Sequence, residues 1–318
     1  MYNIVEPLFI RMAAKVIICL QVKRLVDFFR KNFKGLIPHV CIKLTPWFIA
    51  ISGAKSYQSR TSHVIELFAE AIAQAQAEKK EIKPTFYRIF CSDYVAHYPA
   101  LAWNILPGKN LAFSACKRDI RDSRLQLIPD FVFNAWPEAE IEDYVQTCHD
   151  IVKASQAKPA FLNHIFWAGN IQTHESRMLL KDRSMDFDWL TVVDTSIKSG
   201  SPDNVSNNFV SLVDHCKYSF LIDLQGIGYS GRVKLLLFSG RCLFLQEREF
   251  EEWFYQYLVP YVHFIPIRND LSDLEEKYNW AVNNPNEAGK IARNAQRLAE
   301  DILTRKGAVR YIIDNVLS

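Results

Sequence analysis

At 318 residues the chain is long for one hydrophobic core, so two domains are expected. Apolar residues at 49% and charged residues at 23% exclude a disordered chain, and a net charge of +3 is too small to argue for nucleic acid. No stretch reaches the roughly 18–20 uncharged apolar residues of a membrane span, and the seven cysteines, widely spaced with no CxxC pair, read as buried reduced thiols, not as a disulfide framework or zinc site.

The first segment is locally basic. Residues 1–47 hold eight basic side chains (Arg11, Lys15, Lys23, Arg24, Arg30, Lys31, Lys34, Lys43) against Glu6 and Asp27, a local +6 that leaves the remainder near −3. Apolar residues such as Phe9, Ile17, Leu20, Leu25 and Phe28 interleave them, and residues 8–34 read as a helix. A basic amphipathic helix suits an anionic membrane face, and it equally suits a first helix packed on its domain with a solvated basic side. No small-residue cleavage site marks a signal peptide.

Val40 to Ile51 reads as extended, Val64 to Lys80 as an alanine-rich helix, and Thr85 to Cys91 as a strand ending at Asp93. Leu111 to Ser114 reads as another strand, before Phe131 to Phe133 and the Trp136-Pro137 corner. Phe161 to Trp167 is a strand running into Gly169-Asn170, His174 to Leu180 opens a helix, and Leu190 to Val193 is a strand. Tyr218 to Leu224 follows as a buried strand, Val233 to Phe238 as a helix start, Cys242 to Leu245 as a strand and Phe250 to Leu258 as a helix. Val262 to Pro266 is extended. Ser272 and Glu275 have capping-box spacing, and Pro285 opens a last helix with Ile291, Ala292, Ala295, Leu298, Ala299 and Ile302 on one face. Strands alternating with helices imply an α/β protein with parallel sheets. The division is expected near 155: an N-terminal domain over 1–155, a second over 156–300, and a C-terminal helix over 301–318 that could pack back on the first.

The most informative stretch runs from Val213 to Leu237. A buried strand ends in Gly226-Ile227-Gly228-Tyr229-Ser230-Gly231, and Arg232 and Lys234 follow at the start of a helix. Free N–H groups, a helix dipole and a guanidinium fork suit a phosphate, although a glycine turn with solvated basic residues reads the same way. Ligands of open parallel sheets bind at strand carboxyl ends. Two further strand ends carry suggestive groups: Asp93, either a general base or a turn aspartate, and Gly169-Asn170 with Arg177. Asp186-Phe187-Asp188 has the DxD form of metal-binding transferases, but no apolar strand precedes it; the histidines show no HxxxH or HExxH spacing, and no metal is assigned.

DHCKY from Asp214, the S-x-R-x-K turn from Ser230 and the WFY…P-x-VH-x-IP block from Trp253 occur together in order. This arrangement resembles glycosyltransferase family 90, which spans protein O-glucosyltransferases, fungal capsule-associated proteins and bacterial lipopolysaccharide transferases. Upstream, FCSDY (Phe90 to Tyr94), IPDFVFNAWPE (Ile128 to Glu138) and FWAGNIQTHESR (Phe166 to Arg177) are similar to family segments. The family's FRG reads Trp167-Ala168-Gly169 here, losing an arginine.

The resemblance implies a GT-B fold, two Rossmann-like domains facing across a cleft, and an inverting, metal-independent transfer from a UDP-sugar with no other cofactor. Asp93 is then the base. Asn170 and Arg177 reach the diphosphate or sugar, and Ile227, Gly228, Tyr229, Ser230, Gly231 and Arg232 form the nucleotide-diphosphate turn. Phe131, Phe133 and Trp136 line the acceptor side. The expected partners are a UDP-sugar, a glycan or lipid-linked oligosaccharide, and an anionic membrane, without nucleic acid. Lacking a luminal retention signal, the chain is expected in a bacterial cytoplasm at the inner membrane face, in lipopolysaccharide or lipooligosaccharide core synthesis. Two rivals stand: a metal-dependent GT-A-type transferase using Asp186 and Asp188, and a non-catalytic carbohydrate-binding protein.

Overall fold

The structure, a computed structural model, describes residues 39–44, 49–53, 58–91, 108–117, 120, 125–196 and 208–318. The expected basic helix over 8–34 and the base Asp93 lie outside the described residues. Among the described residues no helix is long and apolar enough to cross a membrane. The chain divides into two compact units, residues 1–131 with 311–318, and residues 132–310.

The first unit is built on a five-stranded sheet. Its strands are β1 (His39–Leu44), β2 (Ile49–Gly53), β3 (Phe86–Phe90), β4 (Lys109–Ala112) and β5 (Leu125–Leu127), in the order β2-β1-β3-β4-β5. β1 pairs antiparallel with β2 and with β3, whereas β3, β4 and β5 run parallel. Helix α1 (Gln58–Ala77) buries Val64, Leu67, Phe68, Ala71, Ile72 and Ala75, the spacing of one helical face. Its Phe68 meets Tyr87 of β3 with ring centroids 6.2 Å apart. The chain's last residues complete this unit: Lys109 Nζ donates to the Val316 carbonyl at 2.7 Å, and Gln126 Nε2 to that of Asn315 at 2.8 Å.

The second unit opens with α2 (Tyr144–Ser155), started by an Asp143 side chain that accepts from Gln146 N at 2.8 Å. Its strands are β6 (Phe161–Gly169), β7 (Leu190–Asp194), β8 (Tyr218–Asp223), β9 (Cys242–Gln246) and β10 (Ile265–Ile267), all parallel, in the order β10-β9-β8-β6-β7. Between them lie α3 (Glu175–Arg183) and α4 (Val233–Leu236); α5 (Leu274–Asn283) and α6 (Pro285–Ile302) follow β10. The inner strands are apolar runs because helices cover both faces: all of β9 is buried, as are the last four residues of β8. Pro285 occupies the first turn of α6, which buries Ala288, Ile291, Ala292, Ala295 and Ala299.

The division at 131/132 differs from the expected 155 because α2 belongs to the second core. Tyr144 donates from its hydroxyl to the Leu303 carbonyl at 2.6 Å, and Gln296 Nε2 donates to Ser155 Oγ at 3.2 Å. Two local expectations also fail. The helix over Phe250 to Leu258 is instead a short strand, Phe250–Glu252, and a 3-10 turn, Tyr255–Tyr257. Glu252, Trp253 and Phe254 are buried on three successive positions, which would span about 200° of a helix and exceed one face, and Pro260 disfavours helical geometry before it. The Ser272–Glu275 capping box does not form. The residue before α5 is Asp273, whose carboxylate accepts from Arg268 N at 3.0 Å, and Ser272 N donates to Asp270.

Candidate active site

In sequence order the strands of the second unit occupy the positions 2-1-3-4-5, the doubly wound arrangement whose switch point lies between the first and third strands. Those strands are β6 and β8. Connections leave β6 and β8 toward opposite sides, so their carboxyl ends diverge into a crevice where backbone groups meet a ligand. β6 ends in Gly169-Asn170 and β8 in Asp223, three residues before the glycine turn.

Asp223 organises this crevice. It is fully buried, and its Oδ1 accepts from Arg232 Nε at 2.8 Å and from Ser230 Oγ at 2.9 Å, while Oδ2 accepts from Arg248 Nη2 at 2.9 Å. Burial alone would raise its carboxyl pKa; Arg232 and Arg248 outweigh that and hold it below the ordinary range. Arg232 also donates through Nη1 to the Ala168 carbonyl, tying the β8 turn to the end of β6. Its Nη2 is buried and has no partner among the described residues, as is Nη1 of Arg248.

Arg177, from the first turn of α3, is a strut between the two strand ends. It donates from Nε to Gln225 O at 2.8 Å, from Nη2 to Leu224 O at 3.1 Å, and from Nη1 to Asn170 O at 3.2 Å and Thr173 Oγ1 at 2.7 Å. The Trp167 ring lies between the guanidiniums of Arg177 and Arg232, at 5.4 and 5.1 Å from its centroid. Burial, then the charge of Arg232, pull the Arg177 guanidinium down to about 9. Asn170 caps the turn Ile171–Thr173, its Oδ1 accepting from Gln172 N at 2.8 Å and Ser196 Oγ at 2.9 Å. Both residues therefore brace the two strand ends at the crevice.

The glycine turn divides likewise. Ile227 is 59% exposed, Gly228, Tyr229 and Ser230 are buried, and Gly231 and Arg232 are half-buried. Neither Gly228 nor Gly231 has positive φ. At Gly231 the lack of a side chain serves close approach: a Cβ there would lie 3.1 Å from the Trp136 ring. The helix after the turn is a single turn, Val233–Leu236, so the anion site rests on guanidinium charge and not on a long helix dipole. Lys234 is fully buried, pairing with Glu252 at 2.7 Å and donating to Gly231 O at 2.9 Å, with Phe133, Tyr229 and Phe254 around its ammonium.

The expected acceptor aromatics are placed otherwise. Phe131, in the first unit, is 2% exposed and packs on Phe113; Phe133 is fully buried against Tyr144 and Trp253. Neither ring lines an open face. Trp136 is half-buried beside Gly231. Asp186 and Asp188 are exposed in the turn entering the amino end of β7, at the sheet edge opposite the crevice, where they cannot hold a metal against a diphosphate at Arg232.

Residues not singled out from sequence complete the site. Gln246, ending β9, accepts at Oε1 from Gln225 N at 3.1 Å and from Ser176 Oγ, and donates to Asn269 O at 2.9 Å. His174 Nε2 lies 2.7 Å from Gln225 Nε2. His215 donates through Nδ1 to Ser211 O at 2.8 Å, so Nε2 is its bare acceptor. Burial, with Arg232 adding to it, pushes the His215 imidazole down to about 4 and keeps it neutral. The signal for Asp223 was present: a lone carboxylate closing an apolar strand just before a glycine turn.

Charge decides what this crevice can hold. Arg177, Arg232, Arg248 and Lys234 face Asp223 and Glu252, a surplus of two positive charges in a half-buried site. Such a surplus favours an anion of two or more charges.

Comparison with known proteins finds the family described as Glycosyl transferase family 90 matching residues 113–316. Human Protein O-glucosyltransferase 1 is 34% identical over 130 residues, covering 41% of this chain and 31% of that protein. Zebrafish (Danio rerio) Protein O-glucosyltransferase 2 is 41% identical over 90 residues, covering 28% and 18%. The chain thus matches less than a third of these relatives' lengths. Among solved structures, Anabaena Alr3699/HepE in complex with UDP-glucose aligns at 10% identity and a TM-score of 0.46, over 79% of this chain and 75% of that one.

Proposed function

The chain belongs to glycosyl transferase family 90, and from that premise we propose that it transfers a sugar from a UDP-sugar to a glycan hydroxyl, with inversion and without a metal ion. The observation that carries this is the positive surplus around Asp223 at the switch point, with Arg232 Nη2 a buried donor lacking a partner among the described residues. Arg232 and the N–H groups of residues 228–231 meet the diphosphate, while Arg177 and Arg248 supply field from behind. As the bond breaks, charge builds on the leaving UDP, and preorganised cations stabilise it more in the transition state than in the ground state.

In this reaction the acceptor hydroxyl oxygen attacks the anomeric carbon from the face opposite the diphosphate. The carbon–oxygen bond to UDP breaks, its electron pair staying on the phosphate oxygen. Asp93, assigned from the FCSDY segment, takes the hydroxyl proton. We assign the acceptor to lipopolysaccharide or lipooligosaccharide core, met at a cytoplasmic anionic membrane face by the basic stretch of residues 1–47. The relatives' name, Protein O-glucosyltransferase, puts glucose first among donors.

A UDP-release assay tests this. Wild type and Asp93→Asn are given UDP-glucose, UDP-galactose, UDP-xylose or UDP-N-acetylglucosamine with truncated lipopolysaccharide and EDTA. Acceptor-dependent release by wild type alone is expected, with an inverted anomer in the product. Release by both proteins removes Asp93 as base, release abolished by EDTA removes the metal-free mechanism, and no release with any donor removes the transferase reading.

A further inference from the structure

A second pocket lies far from the crevice within the same unit. Its volume is about 300 Å³, and Tyr261, Glu276, Lys277, Trp280, Glu287 and Ile291 line it. Topology places it at the amino edge of the sheet. Tyr261 precedes β10 by four residues, and Trp280 sits in the last turn of α5, the helix that runs back from the carboxyl end of β10. The Arg232 crevice is at the carboxyl edge, so this pocket cannot hold the reacting sugar of a donor bound there.

The pocket is built with some strain. Tyr261 has φ +61°, a left-handed conformation that a bulky residue adopts at a cost of about 1–3 kcal/mol. The loop enforces it, with Tyr261 N donating to Phe264 O at 2.7 Å. The result is a tyrosine ring that is 46% exposed and nearly perpendicular to Trp280, at 73° with centroids 5.8 Å apart. Buried Ile291 supplies an apolar floor. Lys277 pairs with Glu276 at 3.3 Å, while Glu287, exposed in the first turn of α6, has no ion pair or hydrogen bond among the described residues.

Two carboxylates against one ammonium make the lining net negative, which repels phosphates and acidic sugars. Lys277 Nζ lies over the Tyr261 ring at 5.7 Å from its centroid; the edge-to-face corner of Tyr261 and Trp280 offers aromatic surface to the C–H face of a pyranose, and carboxylates accept from the hydroxyls around its rim. The volume is that of a small-ligand site. We propose that this pocket binds a neutral sugar residue of a glycan chain, at the sheet end opposite the Arg232 crevice. It gives a glycan a second hold on the protein, raising its effective concentration without touching the reacting groups. The inference needs no turnover and is tested by binding alone.

The test uses the full chain with saturating UDP, which fills the crevice. Methyl glycosides of glucose, galactose, mannose, xylose and N-acetylglucosamine are titrated by saturation-transfer NMR and tryptophan fluorescence, with methyl glucuronide as the acidic control. At least one neutral glycoside is expected to bind with a Kd on the order of 1–10 mM, unchanged by UDP, and the glucuronide about fivefold or more weaker. Tyr261→Gly relieves the left-handed strain, so it keeps or raises the melting temperature while weakening binding about fivefold or more. Glu287→Gln, on an exposed helix start, weakens it similarly with the fold intact. No binding by any neutral glycoside at about 50 mM, binding displaced by UDP, or binding indifferent to both substitutions overturns the proposal.

Discussion

Two buried ion clusters flank the same glycine turn, and they differ in balance. On one side Lys234 and Glu252 match charge for charge, at 0% and 1% side-chain exposure, inside a box of Phe133, Tyr229 and Phe254. On the other, Asp223 pairs with both Arg232 and Arg248, with Arg177 close behind, and a nitrogen of each paired guanidinium has no partner among the described residues. The balanced pair carries no surplus charge; it holds Gly231 O through Lys234 and fixes the turn. A cluster with surplus charge is stable only in part until an anion arrives. The difference separates scaffold from site across a few residues of one chain.

The largest expected effect breaks the balanced side. Glu252→Gln leaves a buried ammonium facing an amide and should cost about 3–5 kcal/mol in urea unfolding. Replacing both partners, Lys234→Met with Glu252→Leu, should return most of that loss, because the apolar box accepts apolar volume. Equal losses in the single and double variants would show that the pair does more than balance charge.

The unbalanced side responds to pH. Unfolded histidine titrates near 6.5, whereas His215 is held at about 4 by burial and by Arg232. A depressed pKa means that the unfolded chain binds the proton first. The contribution is therefore complete above about pH 6.5 and is lost as pH falls toward 4, roughly 3 kcal/mol in all. Urea midpoints measured from pH 7 to 4.5 should fall less steeply in His215→Gln than in wild type; parallel slopes would remove His215 from the account.

Gly169→Ala sharpens the comparison at the seam between β6 and the arginines. The added Cβ would lie 2.8 Å from Trp167 Cζ2 and 3.3 Å from Arg232 Nη1, and the Trp167 ring, 1% exposed, has little room to move. Overpacking of this kind costs about 1–3 kcal/mol. Since the same ring carries both guanidiniums, UDP affinity should drop together with the melting temperature. A variant with lowered stability and unchanged UDP affinity would show that Trp167 does not set the arginines.

Much of the second unit was legible because parallel strands covered on both faces must be apolar, and Tyr218 to Leu224 and Cys242 to Leu245 read plainly as such. The glycine turn from Gly226 to Gly231 and the buried strand leading into it were legible through turn chemistry and apolar patterning. Two readings failed where one residue type serves two purposes. The segment of Phe250 to Leu258 read as a helix, but burial of Glu252, Trp253 and Phe254 on three successive positions is wider than one helix face. Phe131 and Phe133 read as lining the acceptor side and are core. The bracing role of Arg177 was not legible, because the carbonyls it serves come from strands distant in sequence. The domain boundary was missed for the same reason: α2 is amphipathic, and only the tertiary contact of Tyr144 with Leu303 tells which core it covers.

The smallest effect in energy separates function from scaffold most directly. Arg232→Ala removes one partner of Asp223 but leaves Arg248 on Oδ2, so the buried carboxylate keeps a counter-charge. Arg232 is also 14% exposed, and water can reach part of what it vacates. Its loss should therefore move the urea midpoint far less than Glu252→Gln, yet lower UDP affinity or turnover about tenfold, which is about 1.4 kcal/mol. Arg232→Lys restores the charge without the fork that reaches Asp223 and Ala168 O together. It should recover part of the affinity and little of the turnover, if the guanidinium acts on the departing diphosphate. Should Arg232→Ala unfold as readily as Glu252→Gln while keeping wild-type kinetics, the surplus charge at Asp223 would be scaffold after all.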